Sequence, residues 1–217
     1  MRMPWIIADT CEFDGRLSLV AEWKGAVGKS SSSSPSSGRM LLYARANMAS
    51  HGQRFVQMTS SIDGGVSWSP FAPIHIDGYD HTEGDIYYWG AQVNPVDPSG
   101  TSLIATFPIV QHLFGCIGLS LSLDGLRWSR PAPLLPCDAV GERALAHPAA
   151  PAFVRRGDRV WLYVHESVPG ASVDAFLPKE LYFAWAGLER RGRVARYSLP
   201  VNTLEKWTRR ARRSLSS

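Results

Sequence analysis

Ser61-Ile62-Asp63-Gly64-Gly65-Val66-Ser67-Trp68 returns, one residue shorter, as Ser122-Leu123-Asp124-Gly125-Leu126-Arg127-Trp128. The likeness continues downstream, where Trp68-Ser69-Pro70-Phe71-Ala72-Pro73-Ile74 aligns with Trp128-Ser129-Arg130-Pro131-Ala132-Pro133-Leu134. Trp68 and Trp128 stand 60 residues apart. Self-similarity at a long, regular period marks a repeated supersecondary unit. Each residue of the turn has a local task. Asp63 can accept N–H groups of its own loop, and Ser61 can bond the same loop. Gly64 and Gly65 supply positive φ, and Trp68 opens the next strand and covers the turn. The motif satisfies itself. Ser61, Asp63, Gly65 and Trp68, and likewise Ser122, Asp124, Gly125 and Trp128, therefore read as structural residues without catalytic content.

Working outward from the turns, short strands fill the repeat. Gly15–Trp23, Arg39–Arg45, Gln53–Ser60 and Pro70–Ile76 are strand candidates of a first unit. Val56 and Met58 alternate with Gln57 and Thr59, the period of a half-buried strand. Ile86–Val93, Ser102–Phe107, Cys116–Ser122 and Ala132–Leu135 form a second. Ala149–Val154, Arg159–His165, Leu181–Trp185 and Arg193–Leu199 form a looser third. Leu42-Tyr43-Ala44-Arg45 also aligns with Leu162-Tyr163-Val164-His165. The expected fold is all-β, a β-propeller of four-stranded antiparallel blades. About three blades are present, at about 9–76, 77–135 and 136–203, so the ring is partial. Closed rings usually hold at least four blades. An open one leaves strand edges and interblade surface exposed, and self-association through those edges is expected.

Composition agrees with this and excludes other classes. Eight Trp, seven Tyr and eight Phe suit strands, and fifteen Pro and nineteen Gly supply turns. No apolar run reaches the roughly 20 residues that span a bilayer, so no membrane partner is expected. The net charge of +4 resides in residues 204–217, where Lys206, Arg209, Arg210, Arg212 and Arg213 face one Glu205. That segment reads as a disordered basic tail. The remaining chain is balanced, so no nucleic acid is predicted. Residues 29–38, rich in serine, read as a flexible loop inside the first unit. Cys11, Cys116 and Cys137 lack metal-ligand spacing and read as buried thiols, so no metal and no cofactor are expected. The N-terminus carries no signal-peptide pattern. This leaves a cytoplasmic location by default, or a fragment of a longer secreted protein.

The turns resemble the Asp boxes of sialidases and related propeller proteins. The first matches S-x-D-x-G-x-[ST]-W throughout. The second resembles the S-x-D-G-x-x-W variant of five-bladed glycoside hydrolases of the invertase and arabinanase type. The resemblance covers about a quarter of the chain. It implies that the turns join third to fourth strands on one face, and that a ligand pocket opens on the opposite face. Loops into first strands and loops between second and third strands would build that pocket. Asp boxes also occur in non-enzymatic proteins, so they speak for fold more than for activity.

The loops assigned to the pocket side carry the groups able to do chemistry. Glycosidic cleavage needs one carboxylic acid and a second carboxylate as base or nucleophile. Asp14, Asp85 and Glu166 fall in three successive units, as the Asp, Asp and Glu of arabinanase-type enzymes do. They are the expected catalytic residues. Glu12 and Glu83 are weaker candidates. Glu12 shares a side with Asp14, and Glu83 with Asp85 and Tyr87, on an extended backbone. The ordinary alternative for both clusters is a polar turn ahead of a strand. Arg45, Tyr87, Tyr88, His147 and His165 are expected to bind substrate, Arg45 through a carboxylate or sugar hydroxyls. Arg45 also fits an interblade salt bridge. His165-Glu166 also fits a hydrogen-bonded pair that orients a catalytic group. Trp89, like Tyr88, could stack on a sugar, although strand aromatics more often belong to the core. The sialidase pattern fits less well. Arg45, Arg54 and Arg143 supply three arginines, but no R-I-P-like segment opens the chain. The expected function is a glycoside hydrolase-like propeller with a carbohydrate ligand. The alternatives are a non-catalytic glycan- or protein-binding propeller and an inactive truncated gene product.

Overall fold

A computed structural model of the chain describes residues 17–25, 38–48, 53–79, 85–86, 88–111, 114–135, 145–148, 153–168 and 193–216. The Ser-rich segment, the Leu181–Trp185 strand, Cys11 and Cys137 lie outside the described residues. Three sheets, antiparallel but for one short parallel pair in the second, follow one another along the chain. Blade one is β1 (Ser18–Trp23), β2 (Arg39–Met48), β3 (Gln53–Ser61) and β4 (Ala72–Pro73), paired in that order. Blade two holds β5 (His75–Ile76), β6 (Asp85–Ile86), β7 (Gly90–Val93), β8 (Leu103–Gln111), β9 (Phe114–Ser122), β10 (Arg127–Trp128) and β11 (Ala132–Leu135). Blade three holds β12 (Leu145–Pro148), β13 (Val154–Arg156), β14 (Arg159–Val168) and β15 (Arg193–Pro200). The helix α1 (Val201–Ser216) follows directly.

The two matching turns fold as their residues require. Asp63 accepts the Ser61 hydroxyl at 2.7 Å and the Ser67 N–H at 2.9 Å, while Ser61 Oγ accepts the Gly65 N–H at 2.9 Å. Hydrogen bonds from the Ser67 hydroxyl, the Ser67 N–H and Ser61 hold the Asp63 carboxyl well below the usual carboxylate range. In the second turn Asp124 accepts the N–H groups of Leu126 and Arg127 at 2.9 and 2.7 Å. Each indole donates back into its turn, Trp68 to the Gly65 carbonyl and Trp128 to that of Gly125. Gly125 has φ of 79°, and a Cβ there would lie 3.0 Å from Leu41 Cδ1. No larger residue fits that corner without strain.

Alternation along the strands divides the core in two. In β8, Leu103, Ala105 and Phe107 pack towards blade one, where they join Leu41 and Tyr43 of β2 in one cluster with Trp128 of β10. Ile104 points the other way, and with Leu121 of β9 it meets Val160, Leu162 and Val164 of β14. The central blade is thus buried on both faces, and its strands are apolar nearly throughout. An aromatic group fixes the first interface. Trp89 stacks on Phe107 at 4.5 Å and meets Trp128 edge-on at 4.8 Å.

Four features depart from the sequence reading. First, Pro70–Ile76 is two strands and not one. Ala72–Pro73 stays with β3, whereas His75–Ile76 crosses to pair in parallel with β10. Buried Ile76 draws the crossing segment into the shared core, and a forked Arg127–Asp77 pair, 3.0 Å in each arm, ties it down. Second, β14 is paired along one edge by Leu145–Pro148 and by Val154–Arg156, so pairing reaches beyond both ends of the expected Ala149–Val154 strand, of which residues 149–152 lie outside the described residues. Third, β15 pairs with β14 from Arg159↔Pro200 to Glu166↔Arg193, so it is the neighbour of the second strand.

Fourth, residues 204–216 are helical and not a disordered tail. Counting charge alone conceals the period. Val201, Leu204, Thr208 and Ala211 recur at helical spacing and are buried against the core between blades two and three. Lys206, Arg209, Arg210 and Arg213 share the exposed face. Polar contacts reinforce the docking. Asn94 donates to Thr208 Oγ1 at 3.1 Å, and Arg212 reaches Asp97 at 2.6 Å and Ser102 Oγ at 3.0 Å.

Asp97 makes this anchor pH-sensitive. Burial opposes its ionisation, but hydrogen bonds from Ser102 and Ser99 and the Arg212 charge outweigh it, and the carboxyl is lowered to about 2. In the unfolded chain an aspartate titrates near ~4. Its contribution is therefore complete above about pH 4 and is lost as pH falls towards 2. Asp97→Asn should cost about 1–3 kcal/mol at neutral pH, and the gap between mutant and wild-type denaturant midpoints should shrink on acidification.

Candidate functional site

Within each sheet, the two turns occupy one end of the strands. Met40 pairs with Ser61 and Leu103 with Ser122, at the turn end. Arg45↔Val56, Asp85↔Val110 and His147↔His165 lie towards the opposite end. Glu166 lies there too, paired with Arg193. Arg45 and Asp85 thus lie at the end of their sheets remote from the turns, and in blade three His165 and Glu166 lie at the end of β14 remote from its turn with β13.

The best-defined constellation belongs to blade three. Glu166, largely buried, receives the Arg193 Nε–H at 2.7 Å on Oε2. Its other oxygen accepts the Tyr197 hydroxyl. Strand geometry explains the meeting. Arg193 is directly opposite Glu166, and Tyr197 is on the same side of β15, four pairs further down. The Tyr197 hydrogen bond first, and the Arg193 contact after it, hold the Glu166 carboxyl below the usual range although burial opposes this. The same bond pushes the Tyr197 phenol up, with burial adding to it. A carboxylate kept ionised cannot serve as a proton donor near neutral pH. It can act as a nucleophile or stabilise a developing positive charge, while its hydrogen bond orients the Tyr197 hydroxyl.

The other expected residues are placed as follows. Asp85 begins β6, paired with Val110, and His147 is paired in register with His165 between β12 and β14. Arg45 sits on β2, half-buried, its carbonyl taken by the Gln57 amide at 2.9 Å. Tyr88 is half-buried, whereas Trp89 belongs to the aromatic core and not to a sugar platform. Asp14, Glu12, Glu83, Tyr87 and Arg143 lie outside the described residues. The partners of Glu166 are Arg193 and Tyr197, not His165, because adjacent strand residues point to opposite faces. Sequence reading missed both partners, since only the β14–β15 register brings them to Glu166.

Among the described residues no group of three His, Cys, Asp or Glu side chains is placed to hold a metal. No described helix is long and apolar enough to cross a membrane. A shallow groove of about 250 Å³, lined by Arg156, Arg159, Trp161 and Arg196 among others, lies on the outer face of blade three. It is separate from the Glu166 constellation.

No family model matches the sequence, and no curated protein matches it. Solved structures do match the fold. An alpha-L-arabinanase of Penicillium chrysogenum complexed with arabinobiose aligns with a TM-score of 0.54 at 10% identity, covering 85% of this chain and 46% of that one. The GH93 alpha-L-arabinofuranosidase of Fusarium graminearum, also with arabinobiose, aligns with a TM-score of 0.51 at 12% identity, with the same two coverages. A Hadza microbial sialidase aligns at 0.44 and 14% identity, over 69% of this chain and 32% of that one. The chain spans less than half the length of these structures. Its fold is all-β, that of part of a β-propeller, and its structural neighbours are glycoside hydrolases.

Proposed function

We propose that this chain is a glycoside hydrolase-like propeller that acts on or binds a carbohydrate, using paired-carboxylate chemistry. The Glu166 constellation carries the reading. Glycosidic cleavage needs a proton donor at the leaving oxygen and a carboxylate as base or nucleophile. Glu166, ionised beside Tyr197 and Arg193, suits the second role. Asp85, at the same end of the neighbouring sheet, is the proposed acid, and Asp14 the third carboxylate. Arg45, Tyr87, Tyr88, His147 and His165 are the proposed substrate contacts. We read the two matching turns as Asp boxes, on the side away from the chemistry. The arabinobiose held by two structural neighbours supports arabinose-containing oligosaccharides as the first substrates to test.

The test is hydrolysis of aryl arabinosides and of a wider aryl glycoside panel. Asp85→Asn and Glu166→Gln should each lower kcat/KM by about 10²–10⁴-fold while the thermal transition is retained. Arabino-oligosaccharide binding without hydrolysis would favour a non-catalytic glycan-binding propeller. Neither binding nor hydrolysis of any glycoside would end the carbohydrate reading.

A further inference from the structure

We propose that the end of the molecule carrying the two matching turns docks on an anionic lipid surface, with the helix α1 supplying the cations and the first turn an apolar anchor. The inference rests on the fold and not on the proposed activity.

Contacts between the blades gather these parts at one end. Trp23, at the close of β1, donates its indole N–H to the Thr101 carbonyl at 3.2 Å, which ties the turn end of blade one to the loop between β7 and β8. The same loop holds α1, through Asn94 on Thr208 and Asp97 on Arg212. Arg155 of β13 reaches it too, donating to the Pro95 carbonyl at 3.0 Å. The undescribed stretches before β12 and between β14 and β15 adjoin Leu145, Val168 and Arg193, at the other end of the strands.

The helix makes this end basic. Lys206, Arg209, Arg210 and Arg213 are exposed. They fall within about a third of the helix circumference. None of them pairs with a described carboxylate, whereas Arg212 is turned inward onto Asp97. Asp97 is thereby engaged, and Asp63 and Asp124 are engaged by the N–H groups of their own turns. Lys24, exposed beside Gly100, adds another cation. Asp158 and Glu205 are left against the four helix cations, Lys24 and Arg155, so the face is net positive.

Shape and the first turn identify the partner. The apolar side of α1 is docked in the core, so the helix lies on a surface and does not insert. Its outer side is a convex row of cations without a ring to stack on a base or a sugar, since Trp207 packs against the core. Such a row suits the charge of a broad anionic leaflet. The first turn adds what a membrane rewards and a soluble polyanion does not. Val66 is 86% exposed at its tip, Ile62 is 60% exposed, and the Trp68 indole stands half-exposed beside them. Basic residues together with aliphatic and indole groups at one end are the composition of an interfacial contact.

Co-sedimentation of the full chain with vesicles tests this. The chain should bind phosphatidylcholine vesicles containing about one-third phosphatidylserine, ignore pure phosphatidylcholine, and be released by salt. Arg209→Ala and Arg213→Ala should each lower partition about fivefold. Val66→Ser should lower it several-fold, and all three variants should keep the circular dichroism spectrum. Arg196→Ala removes the same charge from the side of blade three and should leave binding unchanged. No binding to the anionic vesicles overturns the proposal, and so does binding indifferent to the helix arginines or to Val66→Ser. Capture of duplex DNA or of a polyuronate without vesicle binding overturns the lipid assignment and gives the stripe to a soluble polyanion.

Discussion

Trp128→Ala will destabilise the protein by about 3–5 kcal/mol, whereas Trp68→Ala will cost far less. The two tryptophans hold the same place in the repeated motif, and each donates its indole N–H to a turn glycine. Their surroundings differ. Trp128 is 0% exposed and packs edge-on against Trp89 and, at 5.8 Å, Tyr43. Removing it leaves a void at the junction of blades one and two, and it strips aromatic contacts worth about 0.5–1.5 kcal/mol each beyond their area. Trp68 is 38% exposed and lies against Gly65 of its own turn. Chemical denaturation of the two variants measures the difference. Equal losses would mean that the motif acts through the turn alone and not through the interface.

The second large effect concerns the helix. Leu204 is fully buried among Ile117, Leu119 and Val164 of blades two and three. Leu204→Ala should cost about 2–5 kcal/mol, from lost burial and the cavity left behind. Leu204→Asp should cost more, since it places a carboxylate without a partner in that core. Arg210→Ala on the exposed side should change stability by no more than about 0.5 kcal/mol. Denaturant midpoints for the three variants rank these effects. A silent Leu204→Asp would mean that the helix is not docked in solution.

The contrast between these elements explains what was legible beforehand. The strands of blades one and two were readable because each carries its own signal. Val56 and Met58 alternate with polar residues, and Asp63 and Asp124 close turns with local hydrogen bonds. The helix was misread because Lys206, Arg209, Arg210 and Arg213 dominate the charge of residues 204–217. The apolar stripe through Leu204 and Ala211 becomes visible only when the helical period is applied. The crossing of His75–Ile76 left no local signal, since its partner Arg127–Trp128 lies some fifty residues away. Glu166 was identified from its place at the end of a second strand. Its partners were not, because Arg193 and Tyr197 reach it only through pairing across a long connection.

The parallel stitch of β5 on β10 separates the unit of sequence from the unit of folding. The repeat divides the chain at the tryptophans, as though each blade were a module. The last strand segment of the first repeat nevertheless completes its hydrogen bonds on the second, through the His75 N–H to the Leu126 carbonyl and the Asp77 N–H to that of Trp128. Ile76 is buried in a core to which both blades contribute. Neither blade can open without breaking bonds that belong to the other. Blades one and two therefore form a single cooperative block, and an ancestral duplication of this unit would have gained stability only once the crossing strand had a second copy to meet.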